Sequence, residues 1–258
     1  MNEKASVSFS IVTYNNQDEI RHVLQSILGV DKELVSHVYV IDNCSIDNTV
    51  KIIQEEYKDV ECIVSKENVG YGAGHNVAIG KTNAKYHIIV NPDIVFEKET
   101  IRHVIEYMEN NSQTVMCIPR IIGFDNEEQY TPRKDPTIRL LLGSLLGDKC
   151  KLTAKWNKEY RMVVDTSQPF DIEFCSGCFM VIRTSALQKV KGFDPGFFLY
   201  FEDADLSRRI RKLGKIQVIP AASVLHEGKR EARKNIKGLR RFIKSAIRYF
   251  NKWGWKVW

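Results

Sequence analysis

The feature that most constrains this chain is a repeated change of hydrophobic period through its first hundred or so residues. Val7 to Val12 is a β-branched, apolar-rich run that reads as a strand. Apolar residues then recur at Ile20, Val23, Leu24, Ile27 and Leu28, which is one face of a helix. Val38 to Ile41 reads as a second strand, and Asp47 opens a helix with apolar positions Val50, Ile53 and Tyr57. Cys62 to Val64 follows as a third strand, Gly74 to Ile79 as a short helix, and Ile88 to Val90 as a fourth strand. A helix through Ile101, Val104, Ile105 and Met108 closes the series. Short strands alternating with helices of this length indicate an α/β chain with a parallel, doubly wound sheet. Such sheets bind ligands beyond the carboxyl ends of their strands. That rule sets Thr13-Tyr14-Asn15, Asp42-Asn43, Asn68 and Asn91-Pro92-Asp93 along one rim.

The second half is less regular. Residues 123–171 carry turn residues, a loose apolar run from Leu140 to Leu146, and Trp156, and read as an insertion serving as a flexible lid or acceptor loop. Phe174 to Ile182 resumes as a strand, Asp203 to Leu213 as a helix ending at Gly214, and Ile216 to Ile219 as a last short strand. The glycine-rich Asn68–Asn76 fits a dinucleotide fingerprint poorly, since His75 occupies the place of the third glycine and the segment follows the third strand. Its glycines either permit a tight turn or bring backbone N–H groups to a phosphate or sugar. Glu202, Asp203 and Asp205 cluster where the aromatic run Phe197–Phe201 meets a helix start. The helix dipole alone accounts for one or two such acids. A carboxylate set against apolar and like-charged neighbours has a raised pKa, as a general base requires. Arg208 and Arg209, one turn on, are placed to reach a phosphate or to pair with these acids.

Charge divides the chain unevenly. Of 38 Lys/Arg and 32 Asp/Glu, eleven of the bases and one acid follow Gly228, so the tail carries +10 and the rest −4. In the tail Ile236, Leu239, Ile243, Ala246, Ile247, Phe250 and Trp253 recur at helical spacing. Lys237, Arg240, Arg241, Lys244, Arg248 and Lys252 fall mostly elsewhere, and Trp253, Trp255 and Trp258 end the segment. This is a basic amphipathic helix, either docked on its own domain or attached to an anionic membrane surface. It could equally form a homodimer contact. No nucleic-acid-binding module accompanies it, so nucleic acid is not an expected partner. No apolar stretch suits a signal peptide or the roughly 18–20 residues of a membrane-spanning helix. Six scattered cysteines, with Cys175 and Cys178 the one CxxC pair, are expected as reduced thiols in a cytosolic protein.

Six segments resemble, in order from about Val7 to Gly228, the family 2 glycosyltransferases: SIVTYNN, IDNCSIDNT, ENVGYGAGHN, VNPDI, CSGCFMVIR and GFDPGFFLYFEDADLSRR. These are inverting enzymes of the nucleotide-sugar-binding GT-A fold, a Rossmann-like α/β architecture with a mostly parallel central sheet. The wording of the fourth and sixth segments is most similar to the bacterial rhamnosyltransferase branch that builds cell-surface polysaccharides. The resemblance implies a catalytic domain over 1–228, containing the insertion, and a tail over 229–258.

It also implies roles for single residues. Thr13 and Asp42 correspond to positions holding the base and ribose of the donor, and Tyr14, Asn15, Asn43, Ser45 and Asp47 shape that pocket, unless Asp47 is only a helix cap. Asn68, Gly70 and Asn76 match the segment closing over nucleotide and sugar, and Arg208 is assigned to the donor. Asn91-Pro92-Asp93 replaces an Asp-x-Asp motif that binds Mg²⁺ or Mn²⁺ with the donor diphosphate. Asp93 remains as metal ligand, and His226 matches a histidine completing the site in some relatives. Asp203 corresponds to the catalytic base, Glu202 positions donor or acceptor, and Ser176 and Gly177 line the acceptor side. The implied reaction moves L-rhamnose from dTDP-L-rhamnose to a lipid-linked saccharide, peripherally on the inner face of the cell membrane. The alternatives are a UDP-hexose donor or a catalytically silent, membrane-bound scaffold.

Overall fold

The computed structural model describes residues 6–129, 132–147, 149–162, 164, 166–228 and 236–258. The first half follows the expected alternation: β1 (Val7–Thr13), α1 (Ile20–Leu28), β2 (Val35–Asp42), α2 (Thr49–Glu56), β3 (Glu61–Val64), α3 (Tyr71–Ile79), β4 (Tyr86–Val90), β5 (Ile94–Val95) and α4 (Lys98–Asn110). Then come β6 (Thr114–Gly123), β7 (Pro132–Arg133), α5 (Ile138–Leu146), α6 (Lys151–Tyr160), β8 (Phe170–Asp171), β9 (Phe174–Cys175), β10 (Phe179–Arg183) and α7 (Thr184–Val190). The chain ends with α8 (Glu202–Ile210), β11 (Lys215–His226) and α9 (Ile236–Trp253).

Among the described residues the main sheet runs β3-β2-β1-β4-β10-β6-β11-β5, with β8 added on β11. Its first four strands are parallel, as their helical crossovers require. Beyond β4 the sheet is mixed. β10 enters antiparallel to both β4 and β6, while β6 and β11 pair in parallel. The expected α/β sheet is thus present, with its longest pairings parallel and an antiparallel part added beyond β4. β6 was not expected, because Pro119 interrupts its apolar run. β11 continues past Ile219 to His226 through a register irregularity between Ile219 and Ser223, which follows Pro220. The expected strand over 174–182 is broken at Ser176-Gly177 into β9 and β10.

Two apolar layers clamp the sheet. One face buries Val7, Phe9, Ile11 and Val40 with α1 and α4 residues such as Leu24, Ile101 and Val104. The other buries Ile89, Met116, Met180 and Val218 against Leu187 and Leu206. A third cluster joins Leu140, Leu141 and Tyr160 of the insertion to Phe197, Phe201, Tyr249 and Phe250. The insertion is thus a helical pair rather than a loop. Its helices meet closely at Gly143, where a Cβ would lie 2.5 Å from the Cβ of Trp156. Of the segment set apart as the tail, residues 229–235 lie outside the described residues. The rest is α9, packed on the body through its Tyr249 and Phe250 face, followed by the non-helical residues 254–258.

Candidate active site

Sheet register assembles the rim. Thr13 and Asp42 are the last paired residues of β1 and β2, and the Thr13 hydroxyl donates to Asp42 Oδ1 at 2.8 Å. The Ser45 N–H donates to Asp42 Oδ2 at 2.8 Å and the Ser45 hydroxyl to Oδ1. Asp42 is fully buried, so its carboxylate is fixed in place by its neighbours. Beside it Asn43 Nδ2 donates to the Gly70 carbonyl at 3.1 Å, while the buried Asn43 Oδ1 has no partner. Asn15 sits in the left-handed region (φ 58°), and its Oδ1 accepts from the Ile46 N–H at 2.9 Å. Tyr14 is exposed. Asp47 accepts from the backbone N–H groups of Thr49 and Gln17 at 2.9 and 3.1 Å, which ties the start of α2 to the β1 end.

Asn68 Oδ1 accepts from the Gly70 N–H at 3.0 Å. Gly70 has φ +92°, and an added Cβ would lie 2.4 Å from the Phe198 carbonyl oxygen. Only glycine fits both demands. The Tyr71 N–H then donates to the same carbonyl at 2.9 Å, joining the glycine loop to the aromatic run before α8.

A second corner forms where β5 meets β11. The pair His226↔Ile94 brings the histidine beside Asp93, with Nε2 3.4 Å from Asp93 Oδ1. Gln129 grips the other side of His226: its Nε2 donates to the His226 carbonyl at 2.9 Å and its Oε1 faces Nδ1 at 2.8 Å. The amide oxygen accepts from Nδ1, and this grip turns Nε2 toward the Asp93 carboxylate. A ring nitrogen and a carboxylate oxygen facing each other suit a cation between them. Burial raises the Asp93 pKa, but hydrogen bonding and charge from His226 and the backbone N–H of Gly228 outweigh it and hold it below its ordinary value. Among the described residues no cluster of three or more acidic, His or Cys ligands forms. Asp93 and His226 fit a metal that takes its remaining ligands from phosphate and water.

The third part is a cleft of about 780 Å³ whose walls include Asn91, Ser176, Gly177, Glu202 and Asp203. The Asn91 N–H donates to the Cys178 carbonyl at 2.8 Å, which follows from the Val90↔Phe179 pairing. Asp203 Oδ2 accepts from the Gly177 N–H at 3.2 Å and Oδ1 from the Ala204 N–H at 2.8 Å. Burial nonetheless leaves the Asp203 carboxyl above its usual pKa. Glu202 Oε2 is buried with no partner, and burial followed by the neighbouring Asp203 charge pushes its pKa well up. The residues just before these acids, Tyr200 and Phe201, both have positive φ (72° and 67°), so α8 begins from a strained turn.

Other expected residues lie elsewhere. Asn76 spends its amide on the backbone of Phe193, donating at 2.9 Å and accepting at 2.8 Å. Arg208 stacks on Trp253 at 4.6 Å and donates to the Tyr249 hydroxyl at 3.3 Å, so it does not line the cleft. Asp205 turns to α9, where the Trp253 Nε1–H donates to it at 2.9 Å. Three residues at the site were not singled out from the sequence. Tyr71, whose hydroxyl donates to the Gly177 carbonyl at 2.6 Å, sat unremarked inside the glycine segment. Gln129 and Arg133 gave no signal, being polar residues of an irregular insertion. All six cysteines are free thiols, and Cys175 and Cys178 are buried with pKa values raised by burial.

A doubly wound sheet with polar residues gathered beyond its strand ends has the nucleotide-sugar-binding architecture of the GT-A type. The solved structure of GalNAc-T7 with UDP, GalNAc and Mn²⁺ matches it with TM-score 0.70 at 13% identity, covering 97% of this chain and 48% of that one. That likeness shows the fold. The chain belongs to Glycosyl transferase family 2, whose profile matches residues 8–191. It is 28% identical over 253 residues to Rhamnosyltransferase WbbL of Escherichia coli K12, covering 93% of this chain and 90% of that protein. It is 27% identical over 228 residues to the N-acetylglucosaminyl-diphospho-decaprenol L-rhamnosyltransferase of Mycobacterium tuberculosis, covering 83% and 74%.

Proposed function

We propose that this protein is an inverting glycosyltransferase that moves L-rhamnose from dTDP-L-rhamnose to a lipid-linked saccharide during cell-surface polysaccharide synthesis. The observation that carries this reading is Asp203, a buried carboxylate with raised pKa in the wall of a cleft that Asn91 of the rim also lines. The names of the two rhamnosyltransferase relatives support the sugar, and the diphospho-decaprenol in one of them supports the acceptor.

The reaction is a single displacement. Asp203 takes the proton of an acceptor hydroxyl while that oxygen attacks the anomeric carbon from the side opposite the leaving diphosphate. The Gly177 N–H holds Oδ2 in position, and the glycine loop and Asp42 hold the donor's nucleotide. Glu202 positions donor or acceptor. Asp93 and His226 would hold Mg²⁺ or Mn²⁺, which when bound supplies positive charge to the departing diphosphate. On α9, Lys237, Arg240 and Lys244 are exposed and make no ion pair among the described residues. They support peripheral attachment to an anionic membrane face. No helix among the described residues is long and apolar enough to cross a membrane.

Purified protein, offered dTDP-L-rhamnose and UDP-hexoses in turn, should turn over the rhamnosyl donor. Asp203→Asn should lower transfer by about 10²–10⁴-fold with donor binding retained. A UDP-hexose preference would replace the donor, and undiminished turnover by Asp203→Asn would remove the base.

A further inference from the structure

The cleft extends well beyond the two acids. On one side its wall is apolar and comes from two helices distant in sequence. Leu141 and Leu145 of α5 face Leu239 and Phe242 of α9. The wall grades outward: Leu141 is 9% exposed, Leu145 44% and Leu239 47%, so these side chains lead from a closed interior to an open mouth. Outside the mouth the same helices continue apolar, through Leu142 and Leu146 on α5 and Ile243 and Ile247 on α9, all exposed. A free sugar has no use for such a path, since its hydroxyls would lose water along it without gaining partners.

The same cleft holds one cation. Arg133 is the sole basic residue among the described lining residues. It makes no ion pair among the described residues; its guanidinium lies over the Tyr160 ring at 5.5 Å, and its charge reaches Asp203. A guanidinium held over a ring, within reach of Asp203 but not paired to it, is suited to a phosphate or diphosphate. Asp93 and His226, the metal corner that would serve the donor's diphosphate, do not line this cleft.

We propose that the cleft takes an isoprenyl-diphosphate-linked saccharide, with its diphosphate at Arg133 and its hydrocarbon chain leaving between α5 and α9. This rests on the glycosyltransferase reading and extends it to two ends of the acceptor. In this arrangement α9 is part of the substrate site as well as a docked helix. α9 also carries the exposed Lys237, Arg240 and Lys244, so the chain leaves beside a helix suited to anionic lipid.

The test is calorimetric titration of the full chain with farnesyl diphosphate, inorganic diphosphate and dTDP. Wild type should bind farnesyl diphosphate on the order of tenfold or more tighter than inorganic diphosphate, because the chain buries apolar surface. Leu145→Glu and Leu239→Glu, at exposed positions that tolerate charge, should erase that preference. Ile247→Glu, outside the cleft, should keep it. Arg133→Gln should weaken both farnesyl and inorganic diphosphate by about 10–100-fold while leaving dTDP affinity within about twofold, since a lost charged hydrogen bond is felt at its own ligand only. Equal wild-type affinity for the two diphosphates, a preference that survives Leu145→Glu and Leu239→Glu, or a parallel loss of dTDP in Arg133→Gln overturns the assignment. The two readings fail separately. An inactive Asp203→Asn with no chain preference removes the cleft assignment alone, whereas a fully active Asp203→Asn removes the transferase base and leaves the binding result standing.

Discussion

The donor rim and the acceptor cleft are built on opposite plans. At the rim, parallel register delivers Thr13 to Asp42, and Ser45 completes the carboxylate's partners within a few residues of sequence. In the cleft, Glu202 stands buried with an oxygen unmet, next to Asp203, after two left-handed residues. At the rim the Asp42 carboxylate is fully met by donors, although the Oδ1 of neighbouring Asn43 is not. The cleft stores unfavourable electrostatics and backbone strain where the proton must move. The difference teaches that fixed binding geometry can be satisfied in advance, while a base with a raised pKa has to be left partly unsatisfied.

Conservative substitutions should therefore shift stability in opposite directions at the two places. Thr13→Val removes one donor from a buried carboxylate and should destabilise the fold by about 1.5–3 kcal/mol in urea unfolding, with weaker dTDP binding. A neutral Thr13→Val would break the comparison at the rim. Gln129→Ala frees the His226 ring and should lower Mn²⁺ affinity about 10–100-fold, read by titration of the metal. Unchanged affinity would detach Gln129 from the metal corner. The smallest effect, and the one of opposite sign, belongs to Glu202→Gln. The folded-state pKa of Glu202 is raised, so in wild type stability declines as pH rises from the unfolded carboxylate value through the folded one. Glu202→Gln should gain about 1 kcal/mol at neutral pH, lose that gain below about pH 4, and transfer sugar more slowly. A Tm for Glu202→Gln no higher than wild type at pH 7 would show that the buried acid is no burden.

The same contrast explains what could be read in the sequence. The placement of Thr13 and Asp42 at the ends of β1 and β2, and of Asn68 and Asp93 in the turns beyond β3 and β4, was legible, because the rule that polar residues gather beyond strand ends needs only local pattern. The cluster of Glu202, Asp203 and Asp205 was legible as acids against aromatic residues, while the choice of Asp203 among them came from the family resemblance. The antiparallel half of the sheet was not, since the pairing of β10 with β4 and β6 joins segments far apart in the chain, and Pro119 and Pro220 broke the runs that mark β6 and β11. Asn76 and Arg208 carry residue types that suit a donor site, yet tertiary neighbours claimed them: the Phe193 backbone for one, Trp253 and Tyr249 for the other. Arg133 and Gln129 lie in a segment without periodicity, and only folding brings them to the acids and to His226.

The contact at Gly70 has a mechanical consequence. The Phe198 carbonyl oxygen lies 2.4 Å from where a Cβ on residue 70 would be and accepts from the Tyr71 N–H, while the Tyr71 hydroxyl donates to the Gly177 carbonyl. The glycine loop, the aromatic run and the turn beneath Asp203 are thereby geared through three backbone groups. Lifting the loop must drag Phe198 and Gly177 along or break two hydrogen bonds. The nucleotide end and the proton-accepting end of this molecule share one linkage, so neither can be displaced as an independent part.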